Sequence, residues 1–252
     1  MKILGASKIF LYQTTCHENV RKVLEFYEEE GTVKLITFYY PPPSVQEGTF
    51  LRLWTKSKLW EYRAGQYMYL NDCLLRNKHQ FDYLGIFDYD EIPILKVHKS
   101  FQKMIKFYKP RKNYPESYML RWKTLYKDLH SSILPHNMSK KFYILVHNQR
   151  TKLFPKEDVL LEKNGKTFHN TNQIYWVNPH KHINIKSKLG GTPILRRVSR
   201  RIAYTAHYRQ LSCSREQNCY KENLEVEKAL HSFQRNIIEN VERVHKRLKL
   251  FT

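Results

Sequence analysis

The chain has 252 residues, 41% hydrophobic and 14% aromatic, enough for a packed core in one large α/β domain or two small ones, and too apolar for general disorder. Lys and Arg number 44 against 23 Asp and Glu, a formal charge of +21 that attracts polyanions without choosing among nucleic acid, an anionic membrane face and a phosphorylated substrate. No stretch approaches the roughly 18 consecutive apolar residues of a membrane span, no basic-then-apolar leader opens the chain, and its abrupt start reads as the interior of a larger protein.

Residues 8–13 (Lys-Ile-Phe-Leu-Tyr-Gln) predict a short buried strand. Thr15 is placed to cap the helix that follows, whose Val20, Val23, Leu24 and Tyr27 recur at the spacing that turns one apolar face to a core. Glu28, Glu29 and Glu30 close that helix, and Gly31 suits the position just past its end. Residues 33–39 predict a second strand, so the opening reads as a βαβ unit of a parallel sheet. Pro41, Pro42 and Pro43 stop that strand, and irregular chain or short helix runs to about Tyr62. A helix over 65–78 carries Tyr69, Cys73 and Leu74 on one side, and residues 83–87 (Tyr-Leu-Gly-Ile-Phe) predict a buried strand. Short strands are expected at 142–147 and 173–177, and a turn at 190–193. One long amphipathic helix is expected over Tyr220–Leu250, packed on the domain through Leu230, Phe233, Ile237, Val241, Val244 and Leu248.

None of Cys16, Cys73, Cys213 and Cys219 forms a C-x-x-C pair, which leaves a structural zinc site without support. Cys213 and Cys219 could close a small disulfide loop in an oxidising compartment, and the sequon Asn137-Met138-Ser139 points to the same compartment. His180-Lys181-His182 has an H-x-H spacing but no evident third ligand. Basic side chains gather at Lys186, Lys188, Arg196, Arg197, Arg200 and Arg201, a solvated face or a phosphate-binding one. There is no G-x-S-x-G, P-loop or G-x-G-x-x-G.

The acidic run Asp88-Tyr89-Asp90-Glu91 follows the 83–87 strand, at the carboxyl end where open α/β sheets bind ligands. In extended chain Asp88 and Asp90 point to one side and repel unless a cation lies between them. Their oxygens suit Mg²⁺ or Mn²⁺, which in turn holds a diphosphate leaving group; the bland alternative is a polar loop capping a strand.

Asn71-Asp72-Cys73-Leu74-Leu75-Arg76-Asn77, followed by Tyr83-Leu84-Gly85-Ile86-Phe87 and the acidic run, resembles the signature of glycosyltransferase family 92: an N-D-C-x-x-R helix paired with an apolar strand ending in D-x-D-E. The segments Ile3–Ala6, Phe10–Tyr12, Val23–Tyr27 and Gly31–Val33 are similar to that family's early βαβ, and Ala206-His207-Tyr208-Arg209 resembles its H-Y-R block; residues 100–200 match less. The resemblance spans about residues 3–250 and implies a single catalytic domain over 1–252 of GT-A type. The fold it implies is α/β, a Rossmann-like mixed sheet flanked by helices, with a long C-terminal helix.

The resemblance further implies a hexosyltransferase that moves a sugar, typically galactose, from a UDP-sugar donor to a glycan acceptor with Mn²⁺ or Mg²⁺. Asp88 and Asp90 would hold the metal and the diphosphate, with His207 as a further ligand. Tyr89, Glu91 and Arg209 would line the UDP-sugar; Asp72 and Arg76, four apart on one helix face, would form an ion pair or touch the donor sugar. The pattern names no catalytic base. The family's compartment is the lumen of the Golgi or another secretory membrane, reached through an anchor and a first strand that this chain is expected to lack. Two other classes remain open: an inactive transferase-like carbohydrate-binding protein, and a basic nucleic-acid-binding module. No RRM, KH or zinc-finger pattern supports the second, so nucleic acid is not an expected partner.

Overall fold

The structure of the chain, a computed structural model, describes residues 1–40, 59–108, 117–127, 129, 142–151, 164–181, 194–209 and 224–250. Its opening is the βαβ unit read from the sequence. β1 (Ile9–Gln13) and β2 (Val33–Thr37) pair in parallel through α1 (Glu18–Glu29), with Ile9 beside Val33 and Gln13 beside Thr37. The cap of α1 is His17 rather than Thr15, because His17 Nδ1 accepts from Asn19 N–H at 3.2 Å. Val20 is exposed, against expectation, since α1 is held through its later turns. There the Tyr27 hydroxyl takes a 2.5 Å bond from Asn240, and Gly31 turns the chain at φ 69°, so that Thr32 N–H reaches Tyr27 O at 3.0 Å.

α2 (Leu59–Asn77) begins earlier than predicted and buries Asn71, Cys73, Leu74 and Asn77. Beyond it the chain runs β3 (Tyr83–Gly85), β4 (Glu91–Leu95), α3 (Phe101–Tyr108), β5 (Ser117–Tyr126), α4 (Tyr143–Val146), β6 (Gln149–Thr151), β7 (Gly165–Asn170), β8 (Leu195–Arg197), β9 (Ala203–Arg209), β10 (Leu224–Val226), a 3-10 turn (Ala229–Phe233) and α5 (Gln234–Leu248). The main sheet has six strands in the order β3-β7-β5-β9-β4, with β8 beside β5. It is mixed: β3–β7, β5–β7 and β4–β9 are antiparallel, while β5 runs parallel to β8 and β9. The long β5 changes partner midway, giving Ser117–Met119 to β8 and Trp122–Tyr126 to β9.

The core joins this sheet to the helices. Ile94, Leu120, Tyr204, Ala206 and Tyr208 pack in one cluster with Phe101 and Met104 of α3 and with Leu230, Phe233 and Ile237. Burying so much of each strand removes the apolar–polar alternation by which strands are recognised, and β7 and β9 carry Lys166, Thr167, His169, Thr205 and His207 all buried.

Several predicted elements are therefore corrected. Residues 142–147 form a helical turn, not a strand, with Leu145 N–H on Phe142 O at 2.8 Å; a short apolar run has the same composition in either form. Residues 173–177 are a turn leading to a single bridge residue, Val177, because Gln173 and Ile174 both donate back to Asn170 O. The C-terminal helix starts at Gln234, since Leu224–Val226 pairs with β6 and a 3-10 turn intervenes; Leu230, Phe233, Ile237 and Val244 are buried as expected.

Cys16 is exposed and Cys73 buried, both as free thiols, and burial pushes the Cys73 thiol up to about 12. Pro41–Pro43, the sequon at Asn137, the 190–193 turn, Lys186, Lys188, Cys213, Cys219 and residues 220–223 lie outside the described residues. Among the described residues no helix is long and apolar enough to cross a membrane.

Candidate active site

The acidic run is the turn between β3 and β4. It closes on itself: Glu91 N–H donates to Asp88 O at 3.1 Å, and Asp88 N–H to Glu91 Oε2 at 3.3 Å. Glu91 opens β4, and the β4–β9 register sets it directly opposite His207. Tyr208 N–H then takes Asp90 O at 2.9 Å. Sheet pairing thus brings the acidic run and the His207-Tyr208-Arg209 block together across 117 residues of sequence.

His207 Nε2 lies 3.2 Å from Asp90 Oδ2, and its Nδ1 lies 3.7 Å from Glu91 Oε1. Burial, and then the Arg209 guanidinium, hold this imidazole below its ordinary range, while Asp90 pulls the other way. Arg209 Nε donates to the same Nε2 at 3.2 Å. An Nε2 that accepts from Arg209 has no proton for Asp90, so a lone pair and a carboxylate oxygen then face each other.

Sequence reasoning missed Lys166, at the start of β7. Its side chain has 0% exposure, and its ammonium meets Asp88 Oδ2 at 2.7 Å, Glu91 Oε2 at 3.0 Å and Pro179 O at 3.1 Å. Burial lowers its basicity, and Asp88 opposes that shift. The only sequence signal was a lysine inside a strand-like run, which ordinarily marks a solvated edge. Glu91, expected among the donor contacts, is 2% exposed and turned to Lys166 and His207. By contrast the side chains of Asp88 and Asp90 are 45% and 44% exposed, and Tyr89 between them is 82% exposed.

The N-D-C-x-x-R helix connects to this corner by a traceable route. Asn71 exchanges two 2.9 Å bonds with the backbone of Val177; two residues later Pro179 O receives Lys166. Thr167 Oγ1 donates to His180 O at 2.6 Å, and the His180 ring meets Trp122 edge-on at 5.2 Å. The Trp122 indole also neighbours His207 at 5.1 Å and Arg209 at 5.9 Å. His180, passed over as half of an H-x-H pair, thus stands beside the site with Trp122; His182 lies outside the described residues. Asp72 and Arg76 form the ion pair that the sequence left as one of two options, at 2.8 Å, with Tyr12 O–H on Asp72 at 2.6 Å. They bond each other rather than the acidic turn, and Arg76 lines a separate cavity of about 670 Å³ with Lys8, Phe10, Lys34 and Phe81. Burial, and then the Asp88 and Asp90 carboxylates, push the hydroxyl of Tyr62 on α2 up.

For a divalent cation the donor chemistry fits. Asp88 Oδ1 and Asp90 Oδ1 have no protein partner among the described residues, and His207 Nε2 lies 3.2 Å from Asp90 Oδ2. Among those residues no three His, Cys, Asp or Glu side chains are already gathered as a cage; Asp88 is bonded to Lys166 and His207 to Arg209.

A curled mixed sheet with helices against it and a long helical segment at the C-terminus, 229–248, agrees with a GT-A-like α/β fold. The family model described as Glycosyltransferase family 92 matches residues 1–246; the chain belongs to that family and is a glycosyltransferase. No curated protein matches the chain.

Proposed function

We propose that this glycosyltransferase moves a hexose, galactose in the first instance, from a UDP-sugar to a glycan acceptor with Mn²⁺ or Mg²⁺, in the lumen of the secretory pathway. The observation that carries the reading is the acidic turn: two half-exposed carboxylates stand side by side, Asp88 anchored by the buried Lys166 and Asp90 at 3.2 Å from His207 Nε2. These three side chains would hold the cation, which when bound offsets the charge that grows on the departing diphosphate. Arg209 is exposed at the same edge and has guanidinium N–H groups to offer phosphate oxygens. Tyr89, exposed between the two carboxylates, offers aromatic surface suited to a sugar or base face.

The test is UDP release from UDP-galactose with Mn²⁺, with and without glycan acceptors, in the wild type and in Asp88→Ala and Asp90→Ala. Loss of transfer in both variants with folding intact supports the assignment, and full activity in either removes it.

A further inference from the structure

We propose that Lys166 is the resident counter-ion of the acidic turn and makes capture of a divalent cation conditional on the diphosphate that arrives with it; this rests on the donor reading above. An ammonium has three N–H donors. Those of Lys166 reach Asp88 Oδ2 and Pro179 O at 2.7 and 3.1 Å, Glu91 Oε2 is an ion-pair partner at 3.0 Å, and the side chain has no exposure. With no exposure it therefore has no path to a phosphate. It acts through Asp88 and is a positioning residue.

Its effect is electrostatic as well as geometric. Asp88, Asp90 and Glu91 place three carboxylates in one turn, and two of them share the Lys166 charge. One Asp88 oxygen is anchored inward while the other is left outward. A bare divalent cation approaching that outward oxygen meets a carboxylate already neutralised, with a fixed ammonium behind it. A cation that carries a diphosphate brings its own negative charge, so the ammonium opposes the pair far less than the bare ion. Lys166 also bonds Pro179, next to His180, so the same side chain fixes the turn against the segment that Asn71 holds.

The experiment measures Mn²⁺ binding by the loss of the free-ion electron paramagnetic resonance signal, with and without UDP, in the full chain. In the wild type, UDP is expected to tighten Mn²⁺, and by linkage Mn²⁺ tightens UDP by the same factor. In Lys166→Met, which removes a like charge from beside the cation, Mn²⁺ alone is expected to bind about tenfold tighter, with the UDP dependence reduced accordingly. The double variant Lys166→Met/Glu91→Gln leaves no buried unpaired carboxylate; it covers the case in which the single variant does not fold, and its Mn²⁺ affinity is expected to move the same way. A merely structural lysine lowers the melting temperature without tightening Mn²⁺. Unchanged or weaker Mn²⁺ binding in the folded variants, with UDP still bound by the wild type, overturns this inference alone. If the wild type binds UDP neither with nor without Mn²⁺, the donor reading falls and the inference falls with it.

Discussion

Asn71 and Val177, 106 residues apart, exchange a pair of hydrogen bonds: Asn71 Nδ2 donates to Val177 O, and Val177 N–H to Asn71 Oδ1, each at 2.9 Å. Both residues are buried. Truncation leaves two backbone groups of Val177 without partners, at about 1–3 kcal/mol for each. Asn71→Ala is therefore expected to lower stability by roughly 2–6 kcal/mol in chemical denaturation. It should also loosen the segment that leads to Pro179 and His180, read as faster amide exchange at Val177. A melting temperature within a degree of wild type counts against this role.

The imidazoles of His207 and His180 give the fold a defined response to acid. Both are held below the ordinary value of 6.5, each by burial first. Between that value and their folded values the unfolded chain binds the protons more readily, so stability rises with pH there and falls as pH drops below 6.5. The melting temperature should be nearly flat from neutral pH down to that point and decline beneath it. Replacing both by Gln should flatten the decline; an equal slope in the double variant assigns it to other groups.

How much of this was legible in the sequence follows from where its residues are buried. The βαβ opening was readable because β1 and β2 are short and bounded by α1 and Gly31. The acidic turn was readable because it interrupts an apolar run. The strands that complete the site were not, because β7 and β9 bury Lys166, His169 and His207 in the positions where alternation expects apolar side chains. Glu91 shows the same limit. Its type marked it as a candidate donor contact, but only the β4–β9 register shows that it faces inward, opposite His207. A fully buried lysine has no sequence signature, since its partners, the acidic run at 88–91 and Pro179, are distant from it in sequence.

Gly165 tests how Lys166 is placed. A Cβ there would lie 2.3 Å from Leu120 O and 2.9 Å from its carbonyl carbon, both backbone atoms of the neighbouring strand that cannot turn aside. Gly165→Ala should therefore push β7 from β5 at about 1–3 kcal/mol and, by loosening Lys166 from Asp88, shift Mn²⁺ binding in the direction of Lys166→Met. Gly31→Ala is the comparison: nothing lies within 4 Å, but φ is +69°. Its cost, roughly 1–2 kcal/mol, should appear in stability alone. Equal binding in the two variants argues that Lys166 tolerates a displaced strand.

The two acidic positions of the signature should separate in kinetics. Asp88 is half-exposed at the turn and bonded to a buried ammonium, whereas Asp72 sits on α2, bonded to Arg76 and Tyr12. If the turn holds the donor diphosphate, Asp88→Asn removes charge at the developing leaving group and should lower kcat/KM by about 100-fold or more. The amide oxygen can still accept from Lys166, so the melting temperature should change little. Asp72→Asn removes an exposed ion pair worth about 0.3–0.5 kcal/mol, with less than about tenfold expected in kcat/KM. Comparable losses in both variants would place the donor against α2 as well, and would restore the alternative in which Asp72 and Arg76 touch the sugar. A loss confined to Asp88 makes the helix pair structural and leaves the outward oxygens of Asp88 and Asp90 as the chemical edge of the site.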